Sequence, residues 1–346
     1  MTEPVKKIKF LLAGGGTMGS VSPLLAFYQE IRKRETLAEF LFVGTVNGPE
    51  MKSVESYKIP FQGIASGKLR RYFDLKNFTD TFRIIKGFFQ SCRILKEYRP
   101  DIVIIAGSFV GVPLALAARL KKIKVVVHQQ DIEPGLANKL MAPLADKITV
   151  SFDVSLKDFK GKKVVLTGNP IRDEFYHCDR AKSLEFFDLT DDMPVILITG
   201  GGTGSLKINE TVKSALPKIL QFAQVIHTVG KGKGFSFEHE NYHQYEFLSH
   251  EMPEALCAAD LVVSRAGLST LTELSVCGKV SVIIPMYQTH QEFNAEHYKN
   301  HNAIIYLSEP SINPAGFVKL LKDLLDDDAK MKSLSDNIKK IIYGFI

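Results

Sequence analysis

The sequence predicts two α/β domains, each built on a parallel, doubly wound sheet. Three observations carry this. Short apolar runs alternate with helix-forming stretches along the 346 residues. The alternation restarts just past the middle. The segment Gly-Gly-Gly-Thr occurs at Gly14–Thr17 and again at Gly200–Thr203, each time between a strand and a helix. Such order belongs to parallel strands joined by helices, and the length suits two domains better than one.

In the first half, Ile8–Ala13 is a buried strand that runs into Gly14-Gly15-Gly16-Thr17-Met18-Gly19-Ser20. Pro23 opens a helix to about Arg34, since a proline fits the first turn. Phe40–Val43, Ile102–Ala106, Val125–His128, Ile148–Ser151 and Val164–Thr167 are the further strands. The linker falls near Asn169–Asp179, giving domains over 1–172 and 173–346. The second half restarts with Val195–Thr199, the loop Gly200–Ser205 and a helix to about Leu216. Gln224–Val229, Glu246–Leu248, Leu261–Ser264 and Val280–Pro285 follow as strands. The last helix, about 329–346, is expected to pack back on the first domain.

The totals set limits. Hydrophobic residues make up 45% and charged residues 24%, enough apolar material for a core in each half. The longest uncharged stretch, 102–118, is broken by Gly107, Gly111 and Pro113, so it reads as strand, loop and helix and not as a membrane span. Met1–Lys9 has no apolar h-region after its lysines and does not resemble a signal peptide. Cys92, Cys178, Cys257 and Cys277 are widely spaced, which predicts neither disulfides nor a zinc site and fits a reducing cytoplasm. The net charge of +6 divides into +13 over 1–172 and −7 over 173–346. The first half is therefore suited to an anionic partner.

Four segments carry chemistry. Gly14-x-Gly16-x-x-Gly19 formally matches a dinucleotide fingerprint, but the second strand ends Val43-Gly44-Thr45 without the acid that would hold a ribose. A nicotinamide or flavin cofactor is not expected. Both glycine loops can bring backbone N–H groups to a phosphate; the alternative is a pair of tight structural turns. Ser264-Arg265-Ala266-Gly267-Leu268-Ser269-Thr270-Leu271-Thr272-Glu273 places a turn, a helix start and a carboxylate in succession. Arg265 could pair with a diphosphate. Glu273, near the first turn, could hold ribose hydroxyls or simply complement the helix dipole. Gln291 and Asn294, three apart, share a helical face on which amides can donate to and accept from sugar hydroxyls, unless this is a solvated helix start.

Together these segments resemble the MurG family of GT-B glycosyltransferases over nearly the whole chain. The likeness rests on the first glycine loop with Pro23, Gly107-Ser108-Phe109-x-x-x-Pro113, His128-Gln129-Gln130-Asp131, Gly135-x-x-Asn138-Lys139, Gly168-Asn169-Pro170-x-Arg172, the second glycine loop, Arg265-x-Gly267…Glu273 and His290-Gln291-x-x-Asn294-Ala295. It implies a GT-B fold with an interdomain cleft. It also implies inverting transfer of GlcNAc from UDP-GlcNAc to lipid-linked MurNAc-pentapeptide, with no cofactor. Glu273 would hold the ribose, Leu268, Ser269, Thr270, Leu271 and Thr272 would line the nucleotide, and the backbone of Leu248 would meet uracil. Gly202, Thr203, Gly204, Ser205 and Arg172 would meet the diphosphate. Gln291, with Asn294 beside it, would hold the GlcNAc, and Thr17, Met18 and Gly19 would face the acceptor or diphosphate. Fixed amides and arginine would stabilise the charge on departing UDP, so no metal is demanded.

The chain also departs from the family pattern. Its first loop has Met18-Gly19-Ser20 where the family has Gly-Gly-His. Gln129 stands where the family has Glu, Asp131 where it has Asn, and Phe109 where it has Tyr. Ser20 cannot be a general base near neutral pH, though it can position a hydroxyl. Asp131 is the candidate to accept the proton from the acceptor O4 hydroxyl; the alternative is a solvated loop acid or cap. Two other readings stay open: a non-catalytic UDP-sugar-binding protein, and another UDP-sugar enzyme of this fold, such as an epimerase.

Lys68–Lys96 holds eight Lys/Arg and two Asp among aromatic residues. Phe78, Phe82, Ile85, Phe89 and Cys92 form a stripe expected to face the core. Ile84, Phe88 and Leu95 widen it toward an anionic inner-membrane surface. This predicts a peripheral protein on the cytoplasmic face of the membrane; no motif supports nucleic acid. His239 and His243 have metal-compatible spacing without a third ligand, so a solvated loop is expected.

Overall fold

The computed structural model describes residues 7–35, 37–67, 76–159, 161 and 163–341, and only the backbone of 76–81. The chain divides between Arg172 and Asp173 into two compact units. The first carries β1 (Ile8–Ala13), α1 (Ser22–Arg34), β2 (Ala38–Thr45), α2 (Glu50–Ser56), β3 (Phe61–Ile64), α3 (Lys76–Tyr98), β4 (Ile102–Ile105), α4 (Gly111–Leu120), β5 (Lys124–Gln129), α5 (Leu136–Met141), β6 (Lys147–Val150) and β7 (Val164–Leu166). The second carries α6 (Arg180–Phe186), β8 (Val195–Thr199), α7 (Leu206–Ile219), β9 (Gln224–Thr228), β10 (Tyr242–Tyr245), α8 (Met252–Ala258), β11 (Leu261–Ser264), α9 (Leu268–Cys277), β12 (Val280–Ile283), α10 (Gln291–Asn300), β13 (Ile305–Tyr306), α11 (Pro314–Leu325) and α12 (Asp328–Lys340).

Both sheets are parallel. Their strand orders are β3-β2-β1-β4-β5-β6-β7 and β10-β9-β8-β11-β12-β13. In each, the chain winds outward from its first strand and then returns to that strand's other side. The reversals lie between β1 and β4 and between β8 and β11, and a parallel sheet offers its ligand crevice at the carboxyl ends of such strands. Both glycine loops leave the first strand at this switch. Helices cover both faces of the first sheet. One core joins Ile94, Leu114 and Met141 to one face, and another joins Leu24, Leu25 and Val54 to the opposite face. The inner strand β8 is buried at all five positions, as a sheet covered on both sides requires.

Several expectations change. The structure bonds Cys178 to Cys257, with Cα atoms 5.4 Å apart across 79 residues of sequence. The spacing hid this pair, because packing of α6 on α8 is what brings them together. The strand expected at Glu246–Leu248 lies earlier, as β10, and Leu248 falls in the loop after it. Residues 342–346 of the helix expected over 329–346 lie outside the described residues. The last helix, α12, ends at Lys340 and packs on α9, α11 and β12. Its register there is fixed by bonds from Ser335 Oγ to Gly278 O and from Asn337 Nδ2 to Asn302 O.

His128 closes the end of β5. Thr149 Oγ1 lies 2.9 Å from Nδ1, and Asn169 Oδ1 lies 3.1 Å from Nε2, so a neutral ring satisfies both contacts. Burial pushes the imidazole down to about 4, against the opposing hydrogen bond from Asn169. The unfolded chain takes up this proton near pH 6.5. A depressed folded value therefore contributes stability that is complete above about pH 6.5 and is lost as pH falls toward 4. From pH 7 to pH 5 the loss is about 2 kcal/mol for this ring alone. Urea unfolding of the first domain should show that loss, and His128→Asn should remove most of the pH dependence.

Candidate functional site

The first glycine loop folds inward. Gly15 N–H donates to Ser20 Oγ at 2.9 Å, and that hydroxyl reaches back to Gly15 O at 3.2 Å. Gly16 N–H donates to Glu50 Oε2 at 3.2 Å. Glu50 is fully buried. Its other oxygen accepts Thr45 N–H at 2.6 Å and the Thr45 hydroxyl. A Cβ on Gly15, Gly44 or Gly48 would strike this carboxylate, so three glycines clear its berth. Ser108 Oγ reaches across the switch from the end of β4 to Gly15 O at 2.8 Å. Thr17 remains exposed at the tip, with Met18 and Gly19 half-buried. Ser20 therefore closes the loop on itself, its hydroxyl engaged by the Gly15 backbone. The acid missing at the end of the second strand is present five residues on, as Glu50, but bonded to the backbone. Its sequence signal was the cluster of glycines around it.

The second loop has nearly the same sequence and the opposite charge beneath it. Lys233 Nζ donates to Thr203 O at 2.8 Å and Gly204 O at 3.0 Å. Gly202 and Thr203 are exposed, and Gly204 is half-buried. Gly16 and Gly201 adopt φ of 80° and 78°, with nothing near a would-be Cβ. Glycine is needed there for the backbone conformation and leaves the loop surface uncovered. Ser205 caps α7 by accepting from Ile208 N–H, and it also accepts from Arg265 Nη2 at 2.6 Å.

Arg265 is 6% exposed. Nη1 donates to Ile284 O at 3.1 Å and to Pro285 O at 3.2 Å, and Nη2 also pairs with Glu309. Burial alone would raise the Glu309 carboxyl. The Arg265 hydrogen bond, the Tyr287 N–H and the charges of Arg265 and Lys207 outweigh it and hold the group below the usual carboxylate range. Through these Nη contacts the guanidinium ties the second loop to the β12–α10 turn, while its buried Nε has no partner among the described residues. Arg172 is likewise buried, and it donates to the Tyr57 hydroxyl at 3.3 Å.

Gly267 caps α9 and is half-buried. Along the helix, Thr270 is partly exposed while Leu268 and Ser269 are buried. Leu271 is fully buried, and the Thr272 hydroxyl bonds to Leu268 O and Ser269 O of its own helix. Glu273 stands in the second turn of α9, not the first, and is 8% exposed. Gln291 opens α10, and its Oε1 accepts Met286 N–H at 3.1 Å. That contact leaves the amide NH₂ to donate outward. Asn294 is fully buried and donates to Ala266 O at 3.2 Å, so it braces the Arg265–Gly267 turn. Leu248 is buried in the loop after β10.

In the first unit, Gln129 is buried and donates from Nε2 to Asp131 O at 2.6 Å and Glu133 O at 3.1 Å, while its Oε1 accepts from Asn138. An ionised glutamate could not make the two donations, so the amide at 129 shapes the loop that holds the half-buried Asp131. His239 Nδ1 accepts Asn241 N–H, and His243 lies in β10. Among the described residues, no three His, Cys, Asp or Glu side chains gather as a metal site.

Comparison with known proteins agrees with this layout. The N-terminal domain model of glycosyltransferase family 28 matches residues 10–150, and its C-terminal domain model matches residues 195–343. A Clostridium perfringens protein named UDP-N-acetylglucosamine–N-acetylmuramyl-(pentapeptide) pyrophosphoryl-undecaprenol N-acetylglucosamine transferase is 38% identical over 350 residues, covering 98% of each chain. The crystal structure of Acinetobacter baumannii MurG superposes with a TM-score of 0.68 at 23% identity, covering 97% of this chain and 95% of that one. The S. aureus MnaA–UDP co-structure reaches 0.71 at 14% identity, covering 97% and 92%. The fold is GT-B, and the chain belongs to glycosyltransferase family 28 and, within it, to the MurG family.

Proposed function

We propose that the chain transfers N-acetylglucosamine from UDP-GlcNAc to the O4 hydroxyl of lipid-linked MurNAc-pentapeptide, with inversion at C1, in peptidoglycan synthesis. The observation that carries this reading is the set of groups at the carboxyl ends of β8, β11 and β12. An uncovered glycine loop with a cation beneath it suits a diphosphate. Glu273 suits a ribose, and the outward amide of Gln291 suits a sugar. Full-length likeness to transferases bearing that name supports the same donor and acceptor. The acceptor is assigned to Thr17–Gly19 and the Asp131 loop of the first domain. Transfer of labelled GlcNAc to a lipid-linked MurNAc acceptor, with and without EDTA, tests it. Turnover of free UDP-sugar without acceptor would indicate an epimerase instead, and binding without turnover a non-catalytic role.

The same reading places the first domain on an anionic inner-membrane surface, on the cytoplasmic face. None of the described helices is long and apolar enough to cross a membrane. On α3 the expected stripe reaches the core only through Cys92: Leu95 is buried and Phe88 packs on the core as well, whereas Phe82, Ile85 and Phe89 are 61%, 49% and 66% exposed. Gly87 sets the inner face, because a Cβ there would strike Ala65 O at 2.1 Å. Leu116 and Leu120 on the adjoining α4 are exposed as well. Arg83, Lys86, Arg93 and Lys96 flank the apolar row on α3. Residues 68–75 and the Phe78 side chain lie outside the described residues. Rings at the lipid interface with cations on headgroups give reversible binding. Phe82→Ser with Phe89→Ser should cut the affinity for anionic liposomes about thirtyfold, each ring contributing on the order of 1 kcal/mol. Transfer to a short, soluble acceptor should be unchanged. Equal sedimentation of the double variant would count against this face.

A further inference from the structure

We propose that Lys233 is the positioning residue of the donor diphosphate subsite, the group that makes one of two near-identical glycine loops a phosphate cradle and the other not. This rests on the donor reading above and deepens it. Gly14-Gly15-Gly16-Thr17 and Gly200-Gly201-Gly202-Thr203 cannot be told apart by their residues. What lies against them differs in sign. The first loop gives Gly16 N–H to the carboxylate of Glu50. The second gives the carbonyls of Thr203 and Gly204 to the ammonium of Lys233, at 2.8 and 3.0 Å.

These bonds aim the loop as well as charge it. In a trans peptide the N–H points opposite to the C=O. With Gly204 O held toward Lys233, the Ser205 N–H of the same peptide unit is turned to the other side, at the N-terminus of α7 where anions are favoured. The lysine is itself held. Asn209 Nδ2 donates to Val229 O at 2.9 Å and to Lys233 O at 3.2 Å, and Glu246 Oε1 accepts Gly232 N–H at 3.0 Å. The turn and the loop touch backbone to backbone: a Cβ on Gly204 would strike Val229 O at 2.0 Å, and one on Gly230 would strike Thr203 O at 2.5 Å. A fixed cation behind fixed amides costs little reorganisation when charge develops. In the transfer, the acceptor O4 oxygen bonds to C1 of the sugar and gives up its proton. The C1–O bond to UDP breaks, and its electron pair stays on the β-phosphate oxygen, on this side of the site.

Calorimetric titration of the full chain with UDP and with uridine tests the assignment. Lys233→Ala should weaken UDP binding about tenfold, the weight of one charge-assisted contact. Uridine, which carries no phosphate, should bind as it does to the unaltered chain. Lys233→Arg should recover most of the affinity, and the melting temperature should hardly move because Lys233 is not buried. An unchanged UDP affinity, or an equal loss for uridine, overturns the assignment of Lys233. If the unaltered chain binds neither ligand, the donor-site reading itself is wrong and this proposal falls with it.

Discussion

Asp131→Asn abolishes turnover while leaving UDP-GlcNAc binding intact. The expectation rests on how the other candidates at the first domain's glycine loop and β5 are engaged. A proton must leave the acceptor hydroxyl as its oxygen attacks C1. The Ser20 hydroxyl is buried and bonded to the Gly15 backbone. His128 is buried with both ring nitrogens engaged, and burial holds it neutral and weakly basic. Glu50 is fully buried and accepts three hydrogen bonds from the glycine loop and strand end. Asp131 is the partly exposed carboxylate on a loop whose backbone Gln129 holds in place. Removing a general base lowers kcat by about 10²- to 10⁴-fold. The change is nearly isosteric, and the Gln129 bonds run to main-chain oxygens, so the loop itself should survive. Single-turnover transfer and equilibrium binding of UDP-GlcNAc separate the two effects. Near-normal turnover would end the assignment. Gln129→Glu should not rescue the variant, because an ionised carboxylate at 129 would face the carbonyls of Asp131 and Glu133.

The layout of the sites was legible where chain order and glycine spacing determine it. The expected bounds of β1, β8 and β11 match the structure, since each is a continuous apolar run, ended at β1 and β8 by a glycine loop and at β11 by Ser264 and Arg265. The edge strands were not legible. β3 carries Gln62 and Gly63, and β13 has two residues, so neither shows an alternating or continuous apolar signal. Polar Tyr242–Tyr245 was passed over for the segment just after it. On α3 the smallest residues, Gly87 and Ser91, mark the inner face because the helix approaches the Ala65 backbone there. A reading that counts large apolar residues turns that helix the wrong way. The harder distinction is between ligand and strut. Ser20, Arg265 and Asn294 all lie in segments expected to carry function, yet each makes hydrogen bonds to other parts of the protein. Arg265 finds Ser205 at 60 positions' distance and Glu309 at 44. No local pattern reports partners so remote, and the same remoteness hid Lys233 behind the second glycine loop.

Arg265→Ala destabilises the second domain by about 3–5 kcal/mol, the cost of leaving one partner of a buried ion pair uncompensated. The loss has three parts. Glu309 keeps its charge with the Tyr287 N–H and the more distant Lys207 in place of a paired guanidinium. Ile284 O and Pro285 O lose their donor. Ser205, the cap of α7, loses the contact that fixes the second glycine loop against the β12–α10 turn. A domain of this size should melt roughly 10 °C lower. Donor binding should weaken too, because the loop and the Gln291 turn are no longer held in one geometry. Glu309→Gln in the Arg265→Ala background separates stability from function. Neutralising the stranded carboxylate should recover part of the melting temperature, since the uncompensated charge is a large part of the penalty. It should not recover UDP-GlcNAc affinity, because the brace between loop and turn is still missing. Recovery of both together would show that Arg265 acts only by neutralising Glu309. Recovery of neither would place the cost in the two carbonyls and the cap. A loss of donor affinity with an unchanged melting temperature would reverse the reading and return Arg265 to the diphosphate, as the sequence pattern first suggested.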